Sequence, residues 1–373
     1  MRIERIETIP VDRYLFVQVH TDTGLVGLGE AGMWAYLDAN AAVIRAWEPY
    51  LVGQDPLRIE HHWQYLYRNA HFRGASVSGA LGAIDTALWD VTGQHFEVPV
   101  YQLLGGKVRD RVRVQTQIDA PTIDGLLANA RREVARGVTA LRITPFAPSF
   151  ASMRHDALIG EAVARVGALR ETIGPDVDIG VEIHRRLSPP DAIVMANALA
   201  QFRPLYYEDP ILPDSVQSHA EVARAIGLPV ATGERLQTLF EFRELLVAGG
   251  ARYARVDPSL AGGLSAAKKI AALSEAFHVG VIPHGALSPV NTAVSVQLDA
   301  CIPNFVLQDW LGDDLPPKSE LLEENLVFED GYLIVPDRPG IGVRLKAGIA
   351  ERYPPTTRRI ETELHEDGSV ADR

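Results

Sequence analysis

From residue 111 onward the chain alternates between two kinds of segment. Short apolar runs recur roughly every 25–30 residues, with one longer gap, and stretches of helical apolar spacing fill most of the intervals. The runs are RVRVQTQI (111–118), TALRITPF (139–146), DIGVEI (178–183), PLYYED (204–209), PVATGE (229–234), YARVDP (253–258), GVIPHG (280–285) and FVLQDW (305–310). Such a rhythm leaves two compact solutions, a closed βα barrel or an open doubly wound sheet. The open sheet normally carries a glycine-rich phosphate turn after its first strand, and QTQIDAPTIDG (115–125) has none. The pattern therefore predicts a barrel over residues 111–320.

The first part of the chain reads differently. RYLFVQVHTDTGLVGLGE (13–30) is a hairpin pattern around TDTG, and residues 37–53 and 78–96 have helical spacing. The glycine pair and charge cluster of YQLLGGKVRDRV (101–112) mark a boundary, so residues 1–110 are expected to form an α+β domain. VFEDGYLIVPDRPGIGV (327–343) is a further hairpin, expected to pack back on that first domain. From about Pro354 the tail is charged and without apolar periodicity, and is expected to be poorly ordered or used at a subunit contact.

Composition narrows the class of partner. With 48 acidic and 36 basic residues the formal charge is −12, which argues against nucleic acid or an anionic membrane. A small anionic substrate fits only where a cation offsets the local field. Cys301 is the single cysteine, so there is no internal disulfide, and no run of 18 apolar residues is present. The expectation is a soluble cytoplasmic protein that forms a homo-oligomer.

In a barrel of this type the reactive groups sit at the C-terminal strand ends. Those ends carry Glu182 and His184, Glu208 and Asp209, Glu234, Asp257, His284 and Asp309. Glu182, Glu208 and Glu234 are separated by equal steps of 26 residues, which puts three carboxylates at equivalent places on neighbouring strands. Three buried carboxylates repel unless a cation joins them. An all-oxygen set without cysteine favours one Mg²⁺ over Zn²⁺. Asp257, one βα unit before His284, can accept its Nδ1–H and leave Nε2 facing the cavity. His184 shares a strand face with Glu182 and is placed to give a proton beside the metal. Asp209 reads as a loop residue or the partner of a nearby basic group.

At these residues the chain resembles the enolase superfamily, and within its mandelate-racemase branch the acid-sugar dehydratases of galactonate and mannonate type. The motifs that carry the likeness are GLVGLGE (24–30), SGALGAIDTALWD (78–90), VYQLLGG (100–106), IHRRLSP (183–189), YYEDP (206–210), TGER (232–235), VDPSLAGGLS (256–265) and IPHGALSP (282–289). The resemblance implies a capping domain, completed by about 320–373, over a modified (β/α)7β barrel. It implies Glu182, Glu208 and Glu234 as Mg²⁺ ligands, His284 with Asp257 as the general base and His184 as the acid. The implied reaction removes the proton α to a carboxylate, passes through an enediolate, and loses the β-hydroxyl to give a 2-keto-3-deoxy acid. A His base working with Mg²⁺ is a known pattern of that superfamily.

The departures are informative. The subgroup usually has Asp where this chain has Glu182, and the extra methylene moves the carboxylate by roughly 1.5 Å. The second strand carries Arg142, Ile143 and Thr144 in place of Lys-x-Lys, and the sixth lacks a lysine base. One imidazole face is equipped for proton removal, which favours dehydration over racemisation or epimerisation. Arg142 is expected on a substrate oxygen or a cavity carboxylate, and Asp309 on the substrate or behind a ligand. Trp34, His71 and Arg73 are either specificity residues on loops over the mouth or surface residues. Of Arg185 and Arg186, one is expected to line the pocket and the other to form a salt bridge outside it. Rival readings are a glycosidase using Glu208, an amidohydrolase (QTQ, 115–117, lacks its His-x-His), and a metal-binding relative with little turnover.

Overall fold

The computed structural model describes residues 1–33, 35–148, 150–356 and 363–371. The N-terminal layer begins with β1 (Ile3–Val11), β2 (Tyr14–Thr21) and β3 (Val26–Glu30), an antiparallel sheet in chain order. Three helices cover it: α1 (Leu37–Leu51), α2 (Ile59–Asn69) and α3 (Ala75–His95). The last is rich in Ala and Gly and is buried along most of its length, because it lies between the sheet and the barrel. Its approach to β3 depends on two glycines of GLVGLGE. A Cβ on Gly27 would meet the Ala87 carbonyl oxygen at 2.0 Å, and one on Gly29 the Ala83 oxygen at 2.1 Å. Leu15, Val17, Val19, Ile44, Leu51, Leu66, Leu81 and Ile84 form the apolar core of this layer.

After α4 (Val100–Leu103) the barrel begins with β4 (Arg111–Gln117). It continues through α5 (Ile123–Ala135), β5 (Ala140–Ile143), α6 (His155–Ile173), β6 (Asp178–Glu182), α7 (Pro189–Leu199), β7 (Tyr206–Glu208) and α8 (Val216–Ala225). Then follow β8 (Val230–Thr232), α9 (Leu239–Val247), β9 (Tyr253–Ala254), α10 (Gly263–Ala276), β10 (Gly280–Val281), α11 (Pro289–Cys301) and β11 (Gln308–Asp309). All pairings from β4 to β10 are parallel and sequential. A parallel bridge Val281↔Phe305 and the pairing of β11 with β4 close the circle, which makes a (β/α)7β barrel. Its floor is apolar, built from Ala140, Tyr206, Ala231, Ile282 and Leu307.

The C-terminal segment differs from expectation in one respect. Its hairpin, β12 (Phe328–Glu329) and β13 (Tyr332–Ile334), pairs antiparallel with the start of β4 and so extends the barrel's first strand. That first half of β4 lies below the closed ring and leaves an edge to pair with. Only beyond the hairpin does the chain return to the N-terminal layer, where Gly340 bridges Pro99 and the Ile341 amide donates to Asp90. After α12 (Ile349–Arg352), Thr356 reaches Asp12. In the tail, His365 Nδ1 meets the Ala151 carbonyl at 2.9 Å, so part of it is packed on the loop after β5. Among the described residues no helix is long and apolar enough to cross a membrane.

Candidate active site

Glu182 and Glu208 are directly paired in the register of β6 and β7, and Glu234 follows β8 by two residues. Side chains two apart share a face, so Glu208 stands above Tyr206 of the floor. One oxygen from each glutamate lies within 4.8 Å of the others, and all three residues are buried. Burial, then the neighbouring Glu208, holds the Glu182 carboxyl well above the usual range.

Three buried guanidiniums meet this group. Arg255 lies on the lumen face two residues before Asp257, and its Nε donates to Glu208 Oε1 and its Nη2 to Asp309 Oδ2, both at 2.6 Å. Arg185 Nη1 bonds Glu234 Oε1 at 2.5 Å and Asp209 Oδ2 at 2.7 Å. Arg142 is held more loosely, with Nη1 at 3.2 Å from Glu208 Oε1, 3.5 Å from Asp309 Oδ2 and 3.7 Å from Glu182 Oε2. Burial pushes Asp309 up, but Arg142 and Arg255 outweigh it and hold that carboxyl below its ordinary range. Burial and Glu234 push Asp209 up to about 6. Five buried carboxylates (Glu182, Glu208, Glu234, Asp209, Asp309) thus face three buried guanidiniums (Arg142, Arg185, Arg255). With Asp257 and a protonated His284 taken as a neutral pair, the ionised set is two positive charges short, the charge of one divalent cation. The donors free to hold it are carboxylate oxygens, so the residues fit such an ion.

His284 Nδ1 donates to Asp257 Oδ2 at 2.8 Å, and its Nε2 faces Glu234 Oε2 at 3.4 Å. Burial alone would lower the imidazole, but Glu234 and Asp257 outweigh it and raise it above its ordinary value. His184 sits just past β6 in left-handed backbone, φ 57°, as does Arg185, φ 67°. Its amide donates to Glu182 Oε1 at 2.8 Å. Arg185 Nη2 lies 2.8 Å from His184 Nε2. A guanidinium can only donate, so Nε2 accepts and the ring proton is on Nδ1. Burial and Arg185 push His184 down to about 3, so as placed it is neutral.

Of the residues singled out in the sequence, the structure brings Glu182, Glu208, Glu234, His184, His284, Asp257, Arg142 and Asp309 together. Asp309 meets Arg142 and Arg255 behind Glu208. It does not join His71 and Arg73 to them: both are exposed, and Arg73 covers the Tyr67 ring and donates to its hydroxyl at 2.9 Å. Arg73 lines a separate cavity of about 320 Å³ with Trp63, Tyr67, Thr238 and Phe240. Trp34 lies outside the described residues. Arg185 is the pocket arginine, and the Arg186 guanidinium lies over the Phe150 ring. The sequence reading missed Arg255, which strand alternation in YARVDP would have placed inward beside Asp257. It also missed Asn291, for which no local signal exists.

Two family descriptions match the chain. "Mandelate racemase / muconate lactonizing enzyme, N-terminal domain" covers residues 4–105, and "Enolase C-terminal domain-like" covers residues 125–349. Similar curated relatives include D-galactonate dehydratases of Verminephrobacter eiseniae, 34% identical, and Ralstonia nicotianae, 35% identical, each over the whole of both chains. Among solved structures, an enolase from Agrobacterium radiobacter, provisionally named a galactarate dehydratase and holding sodium and L-malate, superposes with TM-score 0.94 at 30% identity over all of both chains. A dehydratase-like protein from Salmonella Typhimurium has TM-score 0.90 at 30% identity, covering 94% of this chain and 98% of its own.

Proposed function

The chain belongs to the mandelate racemase/muconate lactonizing enzyme family of the enolase superfamily, and on that premise we propose that it is a Mg²⁺-dependent hydro-lyase that dehydrates an aldonic or aldaric acid to a 2-keto-3-deoxy acid. The observation that carries this reading is the converging glutamate trio, set among acids that outnumber their guanidiniums and facing the Asp257–His284 pair across Glu234. Glu182, Glu208 and Glu234 would hold the ion. Its chemistry there is to offset the negative charge that develops on the substrate carboxylate when the α-proton leaves.

His284 removes that proton with Nε2 in the neutral form, while Asp257 fixes the tautomer by accepting from Nδ1. Without the ion, Glu234 and Asp257 hold the imidazole above its ordinary value, and an ion on Glu234 would offset part of that pull. His184 is the donor to the departing hydroxyl, which leaves as water. With Nε2 held by Arg185, its available hydrogen is on Nδ1, a buried atom without a partner. Full proton delivery requires the Arg185 contact to break, after which both ring nitrogens can carry protons. Arg142 donates its Nε to Gln117 Oε1 and shares Nη1 among longer carboxylate contacts, so its Nη2 is the donor left for a substrate oxygen.

Racemisation would need a second base opposite His284. In place of a lysine the second strand carries Arg142. Burial works against its charge, but Asp309 and Glu208 outweigh that and keep it protonated, so it cannot serve. The test is incubation with a panel of aldonic and aldaric acids. The expected result is a semicarbazide-reactive 2-keto product with Mg²⁺ that EDTA removes. No product across the panel would overturn the reading.

A further inference from the structure

Asp257 is held from two sides. Its Oδ2 accepts from His284 Nδ1, as described. Its Oδ1 accepts from the Ser259 amide at 2.9 Å and from Asn291 Nδ2 at 3.3 Å. Asn291 is fully buried near the start of α11, and the same Nδ2 also bonds Ser259 Oγ at 2.8 Å. Its backbone amide donates to Glu30 Oε2 at 3.1 Å, and Glu30 further accepts from the Ser288 amide at 3.1 Å and hydroxyl at 2.6 Å. A carboxylate of the N-terminal layer thereby caps the helix that follows His284 and sets where Asn291 stands.

We propose that Asn291 is a positioning residue for the proposed base: it fixes the rotation of the Asp257 carboxylate so that Oδ2 alone is presented to His284. Two physical arguments support it. The terminal torsion of an aspartate is broad and two-fold, so the carboxylate turns unless both oxygens are engaged. The Asn291 Oδ1 atom is buried with no partner. An orphaned buried acceptor is unfavourable, so this amide is there for its donors, at a cost in stability. A residue kept against stability at a site is retained for what it orients.

The proposal rests on the reading of His284 as the base, and its test separates the two. In Asn291→Ala the Ser259 amide still holds one oxygen, so the loss is partial. kcat is expected to fall about 10–100-fold, the range for residues behind a reacting group, with KM within about threefold and Tm within a few degrees. Asn291→Asp, which sets a carboxylate against Asp257, should lose more than the alanine variant. The resting protein supplies a readout free of turnover, the downfield proton resonance of His284 Nδ1–H, assigned by its loss in His284→Asn. It should shift in Asn291→Ala. A kcat within twofold of wild type, or an unmoved resonance, overturns the role of Asn291. If no acid sugar is turned over, the resonance still decides the Asn291 question, while the dehydratase reading fails separately.

Discussion

Two sets of buried acids stand a short distance apart in this molecule, and they are satisfied in different ways. In the N-terminal layer, Glu30 accepts from Ser288 and Asn291, Asp85 accepts from the Ser265 amide, and Asp90 accepts from the Leu28 and Ile341 amides and from Gln94. Among the described residues, no arginine or lysine hydrogen-bonds to any of the three. Burial pushes each up to about 7. At the barrel mouth the acids are matched to guanidiniums, and the match falls short by two charges. Buried acids met by N–H and hydroxyl groups tie elements together without a cation, although Asp85 Oδ1 is left unpartnered. Acids that outnumber their cations carry uncompensated charge, the feature on which the proposed cation site rests.

The contrast between the two sets is most exposed at Glu208. Glu208→Gln should cost about 10³-fold or more in dehydration and abolish the response to Mg²⁺, since it removes a proposed ligand and one uncompensated negative charge. Retained turnover would erase the distinction. Next in size, His284→Asn should cut exchange of the α-proton with D₂O by about 10²–10⁴-fold. His184→Asn should spare that exchange yet block product formation, and product from it would remove His184 as donor. A smaller effect is on stability: at about 100 times its Kd, Mg²⁺ should stabilise the wild type by about 2.7 kcal/mol, read as a rise in Tm. Asp85→Asn should keep that rise and Glu234→Gln should lose it.

The slightest effect belongs to the amide-bound acids. A carboxyl raised to about 7 in the folded chain keeps a proton that the unfolded chain loses near pH 4. Between those values the folded state binds more protons, so its stability falls as pH climbs and levels off above about 7. Asp90→Asn has no such proton, so the wild type should lose Tm relative to it from pH 5 to 7. A constant difference across that window would show that Asp90 is not protonated by burial.

Much of this is legible in the chain. The strand–helix rhythm points to the barrel because burying both faces of a parallel strand forces a continuous apolar run, and each run needs a crossover helix. The glutamate trio is legible because equal steps along a repeating architecture return to equivalent positions. Arg255 is legible in principle, by alternation from Asp257. Asn291 and Glu30 are not, since their partners lie in another layer and no local spacing encodes a contact across 258 or 261 positions. The hairpin at 328–334 pairs with β4 instead of the N-terminal layer for a related reason: sequence shows that a strand is edge-seeking, but not which edge is open.

The amide partners of Glu30 and Asp90 have a consequence for biosynthesis. Ser288 and Ile341 lie 258 and 251 residues after the carboxylates that they satisfy. While the ribosome is still short of them, Glu30 lacks its partners and Asp90 keeps only Leu28 and Gln94, so the opening hundred residues should be less stable alone than in the finished chain. A nascent chain arrested before residue 288 should leave this region open to protease, and the finished polypeptide should close it.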